Sequence, residues 1–184
     1  NMSMGLLAMA VAFVIADNLA TSYSMKGITS GLTALVVFLL VAAPANYLAL
    51  ADGTTSLLMN CTYLGAQGLF TAIIVALLTV EITRFCEIHN ITIRLPEICP
   101  PALTNSFRTI VPMVINVSIF YILSLLSSNY LGVSIPALIE KVLATPIAAV
   151  DSVPGSLFLC AFMLLLWCCG VHGQMVTMAL TAPI

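Results

Sequence analysis

The chain has 184 residues, of which 61% are hydrophobic and only 7% charged, where a soluble domain carries roughly 25% charged residues. Five basic and seven acidic side chains cannot cover the surface of a soluble globule, and they include no basic patch of the size that nucleic acid requires. The composition excludes a soluble domain and points to an integral membrane protein.

Five apolar stretches, at 4–22, 31–50, 64–85, 108–127 and 155–184, each approach the ~20 residues a helix needs to cross a bilayer. None alternates at period two, as barrel strands do. In lipid the backbone must bond within its own segment, so helices remain. The expected fold class is all-α, a multi-pass transmembrane helical protein of about five spans.

Lys26 lies between the first two stretches, and Arg84, Arg94 and Arg108 border or occupy the segment 84–108. If every stretch crosses once, these two segments share one side, which the positive-inside rule makes cytoplasmic. The outer side then holds 51–63 and 128–154, with Lys141 as its one basic residue. On this topology the first span enters from outside. Asn1 in place of an initiator Met, and an apolar run that reaches Ile184, read as a piece of a longer protein with further spans before it.

The cytoplasmic segment 86–106 is polar and punctuated by Pro96, Pro100 and Pro101. Residues 90–95 alternate polar and β-branched apolar side chains, which predicts a short strand or hairpin. Pro101 suits the first turn of the next helix, and Pro112 is expected to kink it. In the outer segment, Ile135, Leu138, Ile139, Val142 and Leu143 recur at helical spacing, with Glu140 and Lys141 on another face. An amphipathic helix lying in the membrane interface is predicted there, bounded by Pro146 and Pro154.

The last stretch carries the candidate chemistry. The run Trp167-Cys168-Cys169-Gly170-Val171-His172-Gly173-Gln174 puts an ionisable side chain between two glycines inside apolar sequence. Polar groups at membrane depth are costly and face a cavity or a partner, and glycine-loosened helices are where transporters build substrate sites. Trp167 is five residues before His172, so the two border one pocket only if Gly170 opens the turn. An indole face beside the hydrogen-bonding His172 and Gln174 suits a sugar. The plainer reading of His172 is a core histidine bonded to another helix.

Cys168 and His172 at i, i+4 supply only two metal ligands, short of a metal site. Cys169 with His172 lacks an orienting third group for nucleophilic catalysis. No cofactor is called for, and no complete catalytic constellation exists. Elsewhere, Glu81 and Arg84 at i, i+3 read as a helix-end ion pair. Asp17 reads as an interface residue or a polar contact to another helix. The triplets at Asn60 and Asn90 match the glycosylation pattern and are assigned no role.

The stretch Tyr63-Leu64-Gly65-Ala66-Gln67-Gly68-Leu69-Phe70, with Val80-Glu81-Ile82-Thr83-Arg84-Phe85 behind it, resembles the lactose/cellobiose/diacetylchitobiose class of membrane IIC components of bacterial phosphotransferase systems. So do Leu95-Pro96, Pro100-Pro101-Ala102, Ser106-Phe107, and Leu166-Trp167 with Gly170-Val171-His172-Gly173. Ala16-Asp17-Asn18-Leu19-Ala20 is similar too, although that family is expected to carry Tyr where Asp17 stands.

The resemblance implies a homodimeric permease in a bacterial plasma membrane. It would carry a β-linked disaccharide such as cellobiose or diacetylchitobiose inward, for phosphorylation by a phosphocysteine on a separate cytoplasmic IIB partner. It places His172 and Trp167 at the sugar, with Gly173 and Gln174 beside them. It divides the chain into a helical scaffold and dimerisation region over 1–131, an amphipathic connector over 132–153, and the start of a substrate-binding domain over 154–184. Gly31 and Ala34 are expected to let helices approach across the dimer. The family's Asn-Glu-Pro carboxylate motif is absent, and Ala148 stands where a sugar-contacting Gln is expected. The alternative is a truncated fragment that inserts in the membrane without transporting, with only a structural or dimerising role.

Overall fold

The computed structural model describes residues 4–49, 55–93, 101–147, 153–168 and 173. Within them lie six α-helices: α1 (Leu7–Ser22), α2 (Gly27–Ala42), α3 (Leu69–Ile88), α4 (Pro101–Leu126), α5 (Ile135–Ile147) and α6 (Val153–Cys168). A hairpin of β1 (Ala45–Ala49) and β2 (Thr55–Met59) joins α2 to α3, pairing antiparallel from Ala45↔Met59 to Ala49↔Thr55. The architecture is helical, as the composition implies, with this one hairpin added.

The hairpin corrects the second predicted stretch, 31–50. Helix α2 stops at Ala42, just before Pro44, whose ring disfavours the α conformation of the preceding residue. An apolar run reads the same on a hydropathy scale whether it continues as helix or turns into strand. The strand predicted over 90–95 is not found at 90–93, and Arg94 and Leu95 lie outside the described residues. As expected, α4 begins at Pro101, and it runs on through Pro112.

Alanine sets the packing of α1. Ala8, Ala12, Ala16 and Ala20 recur every fourth residue, on one helix face, and each is fully buried. Between helices surrounded by lipid, burial of large apolar side chains gains little, because lipid tails are as apolar as leucine. Close backbone approach and dispersion drive association instead, and small residues allow it. The stripe meets Val37, Phe38 and Val41 of α2 and Val75 of α3 at one end. Toward the other end it meets Ala34, Ala76 and Val80.

Gly31 belongs to this same packing. A Cβ placed on it would lie 2.8 Å from Cε2 of Phe13. Gly31 and Ala34 are buried within the chain, so they serve α1–α2 contact and are not available for approach between two copies. Periodicity shows that a small residue permits contact, but not which helix makes it.

Two devices hold the ends of α3 and α4. Gly68, just before α3, passes so close to the Tyr63 carbonyl oxygen that no side chain fits there. Beyond α4 a π-helical turn, Ser127–Leu131, ends at Gly132 with φ +66°, and Ser127 Oγ donates to the Val133 carbonyl at 2.7 Å. Helix α5 follows, with Pro136 buried and Ile135 packed against the core near Tyr63.

Candidate functional site

Of the four sequence-predicted site residues, the structure describes Trp167 and Gly173, while His172 and Gln174 lie outside the described residues. Trp167 is near the end of α6 and about half exposed. Gly173 is buried and packed on α6: a Cβ added there would meet the Met163 carbonyl oxygen, with Trp167 Cδ1 at 2.6 Å and Nε1 at 3.0 Å. On a straight helix residues 163 and 173 are about 15 Å apart along the axis. Gly173 therefore does not sit on a continuation of α6, which corrects the single long span drawn over 155–184. The indole and the glycine of the candidate motif are brought together.

A second polar group sits at the far end of α3. Tyr23, in the turn after α1, donates its hydroxyl to Glu81 Oε1 at 2.7 Å. The Arg84 guanidinium lies 4.1 Å from the Tyr23 ring centroid and 3.6 Å from Glu81 Oε2. The bond to the Glu81 carboxylate holds the Tyr23 phenol above its ordinary pKa. The Glu81–Arg84 pair was legible at i, i+3, but Tyr23 was not, because it comes from another helix. Arg108 Nη2 lies 3.9 Å from Glu87 Oε2, and Lys26 shares a cleft with both. Three of the four basic residues assigned to one side thus gather at one end of the bundle: Lys26, Arg84 and Arg108. Arg94 is outside the described residues.

At the opposite end Tyr63 bonds Ser134 and lies near Glu140 of α5, and burial, more than Glu140, pushes its phenol up.

Between these ends, sequence reasoning missed a buried polar seam. Asn116 of α4 is fully buried. Its Nδ2 donates to Thr83 Oγ1 at 3.0 Å and to the Pro112 carbonyl at 2.9 Å. Thr83 in turn donates to the Thr79 carbonyl at 2.8 Å. Asn116 Oδ1 and Thr79 Oγ1 are buried with no hydrogen-bond partner. The available signal was an Asn inside an apolar stretch, four residues after a proline. Among the described residues no cluster of three His, Cys, Asp or Glu side chains could hold a metal.

Two stretches, Ala66–Ile88 and Phe107–Leu131, are long and apolar enough to cross a bilayer, and the outward side of the bundle is apolar along α3, α4 and α6. The fold is that of a helical membrane protein. The chain belongs to the phosphotransferase system EIIC family, whose profile matches residues 1–184, a family of bacterial integral membrane proteins.

The chain is 32% identical over 185 residues to the PTS system lactose-specific EIICB component of Lacticaseibacillus casei, covering 100% of this chain and 32% of that protein. It is 32% identical over 187 residues to the lichenan permease IIC component of Bacillus subtilis (strain 168), covering 98% of this chain and 40% of that one. Among solved structures it matches the transporter ChbC, the IIC component from the N,N'-diacetylchitobiose-specific phosphotransferase system. That match has a TM-score of 0.72 and 30% identity, and covers 98% of this chain and 43% of ChbC. The chain spans less than half the length of each.

Proposed function

We propose that the chain is part of the membrane-embedded permease of a phosphoenolpyruvate-dependent phosphotransferase system, and that it carries a β-linked disaccharide inward. The observation that carries this reading is the family match over the whole chain, joined to the packing of Gly173 on the Trp167 indole. Lactose, lichenan and diacetylchitobiose, the sugars in the names of the relatives, are all β-linked.

The sugar site consists of Trp167, His172, Gly173 and Gln174. The indole offers a flat face to sugar C–H groups, His172 and Gln174 bond hydroxyls, and Gly173 lets the backbone pack against the edge of the indole. No residue of the chain carries the phosphoryl group, which a cytoplasmic IIB partner delivers to the bound sugar. The segment 86–106 is the docking surface for that partner, beside Lys26, Arg84 and Arg108.

Helices α1, α2, α3, α4 and α6 are the five spans, and α5 is the interfacial helix. Residues 1–131 form the scaffold and dimerisation region, 132–153 the connector, and 154–184 the start of the substrate domain. Because Gly31 and Ala34 are buried inside the chain, the homodimer uses other surfaces of the scaffold.

The test is His172→Ala in the complete gene product, with sugar affinity and thermal stability measured side by side. Loss of a buried hydrogen-bond partner weakens sugar binding by about 1–3 kcal/mol, with membrane insertion intact. Unchanged affinity per folded molecule, with stability lowered, would make His172 a packing residue.

A further inference from the structure

Between α2 and α4 a groove runs from the Lys26 end of the bundle toward its middle. Its mouth is a cleft of about 180 Å³ that contains Lys26, Arg108 and Glu87. Lys26 is exposed and has no ion pair among the described residues. Glu87, 3.9 Å from Arg108, offsets one of the two positive charges that line the cleft; the Asp17 carboxylate of α1 lies against Gly27, outside that lining. The lining of the mouth therefore carries one net positive charge.

Past the mouth the character changes. A neighbouring slot of about 230 Å³ shares Thr109 with it and is walled by Leu32 and Val36 of α2 and Met113 of α4. Thr29 and Thr33 also line it, but their hydroxyls donate to the carbonyls of Lys26 and Thr29 in their own helix. They are not engaged with anything in the slot. Positions 29, 32, 33 and 36 form one stripe of α2, and 109 and 113 one stripe of α4. The slot thus follows the helix axes, and from Lys26 to Val36 it extends about 15 Å.

A cationic mouth at the end of membrane helices, continued by an apolar slot along their axes, has the layout of a phospholipid: charged head at the membrane surface, acyl chain along the normal. Basic pockets between membrane helices bind anionic head groups. A bare anion would use the mouth and leave the slot unexplained. We propose that this groove binds an anionic phospholipid, its phosphate between Lys26 and Arg108 and one acyl chain along Leu32, Val36 and Met113. The inference requires that the helices cross a bilayer, and it is independent of the sugar site.

Native mass spectrometry of the chain in detergent micelles, titrated with phosphatidylglycerol or phosphatidylcholine, tests this. Phosphatidylglycerol is expected to bind about tenfold tighter than phosphatidylcholine, the size of effect that one or two basic residues at a membrane surface produce. Lys26→Gln removes that preference and Lys26→Arg keeps it. Val36→Trp fills the slot and weakens both lipids while leaving the charges in place. Circular dichroism on each variant confirms that the helices form, and a variant that fails this check is replaced by Leu32→Trp for the slot or Arg108→Gln for the mouth. Equal binding of the two lipids would overturn the proposal. So would displacement of phosphatidylglycerol by millimolar inorganic phosphate, which would make the cleft a simple anion site.

Discussion

Gly173→Ala tests the geometry at the end of α6 directly. The added Cβ would sit inside van der Waals distance of the Met163 carbonyl oxygen and 2.6 Å from Trp167 Cδ1, where carbon contacts are favourable near 3.5–4.0 Å. The carbonyl belongs to the α6 backbone and cannot swing away, so the indole or the chain at 173 must give by about 1 Å. Overpacking of this kind costs about 1–3 kcal/mol, against a gain of about 0.4–1 kcal/mol from stiffening the unfolded chain. A net loss of about 1–2 kcal/mol follows. Trp167 is the single tryptophan of the chain, so its emission maximum and its quenching by acrylamide report on the surroundings of this one residue. Both should shift in Gly173→Ala, together with lower thermal stability in detergent. Gly5→Ala is the control, because nothing lies within 4 Å of a Cβ there. Wild-type emission and stability in Gly173→Ala would refute the packing of Gly173 on Trp167.

Gly68→Ala should destabilise by about 2 kcal/mol in a thermal unfolding assay, because the obstructing atom is the Tyr63 backbone oxygen; a neutral result would mean that the turn before α3 opens freely. A double-mutant cycle of Asn116→Leu with Thr83→Val should return a coupling of about 0.6 kcal/mol, and no more than about 1.7. Zero coupling would remove the interhelical bond from the account of α3–α4 packing. Asn90→Cys, in a background with the native cysteines replaced, should react with an impermeant maleimide only after the membrane is opened. Efficient labelling of intact cells would invert the topology.

How much of this was legible in the residues depends on whether the signal is local. The helical class follows from twelve charges among 184 residues, a property of the whole chain. The start of α4 at Pro101 follows from the ring geometry of a single residue. The pairing of Glu81 with Arg84 follows from their spacing. The end of α2 was misjudged because apolarity runs on past Pro44 into β1. Tyr23, Asn116 and Thr83 escaped notice because their partners lie on other helices, 58 residues away for Tyr23 and 33 for Asn116. The candidate sugar site came from resemblance to a motif more than from periodicity, and periodicity alone would have left His172 a core histidine.

The surface of α4 ties these threads together. Over residues 107–126 its buried positions are Pro112, Asn116 and Phe120, spaced by four and so forming one narrow stripe against α2 and α3. Around that stripe Phe107, Ile110, Met113, Val114, Tyr121, Ile122 and Leu125 are all exposed. An amphipathic helix of a soluble protein has polar side chains on the face turned away from the core. Here that arrangement is reversed: Asn116 points inward and the apolar side chains point outward. A buried Asn bonded to Thr83 gives α3 and α4 a directional contact in a solvent that supplies no hydrophobic force between helices. The one charged side chain of α4 is Arg108, two turns in from Pro101 and at the level where the lipid groove has its mouth. The same distribution thus accounts for the outward leucines and isoleucines, the inward amide and the placement of the few cations, and all three fit a bundle that sits in lipid.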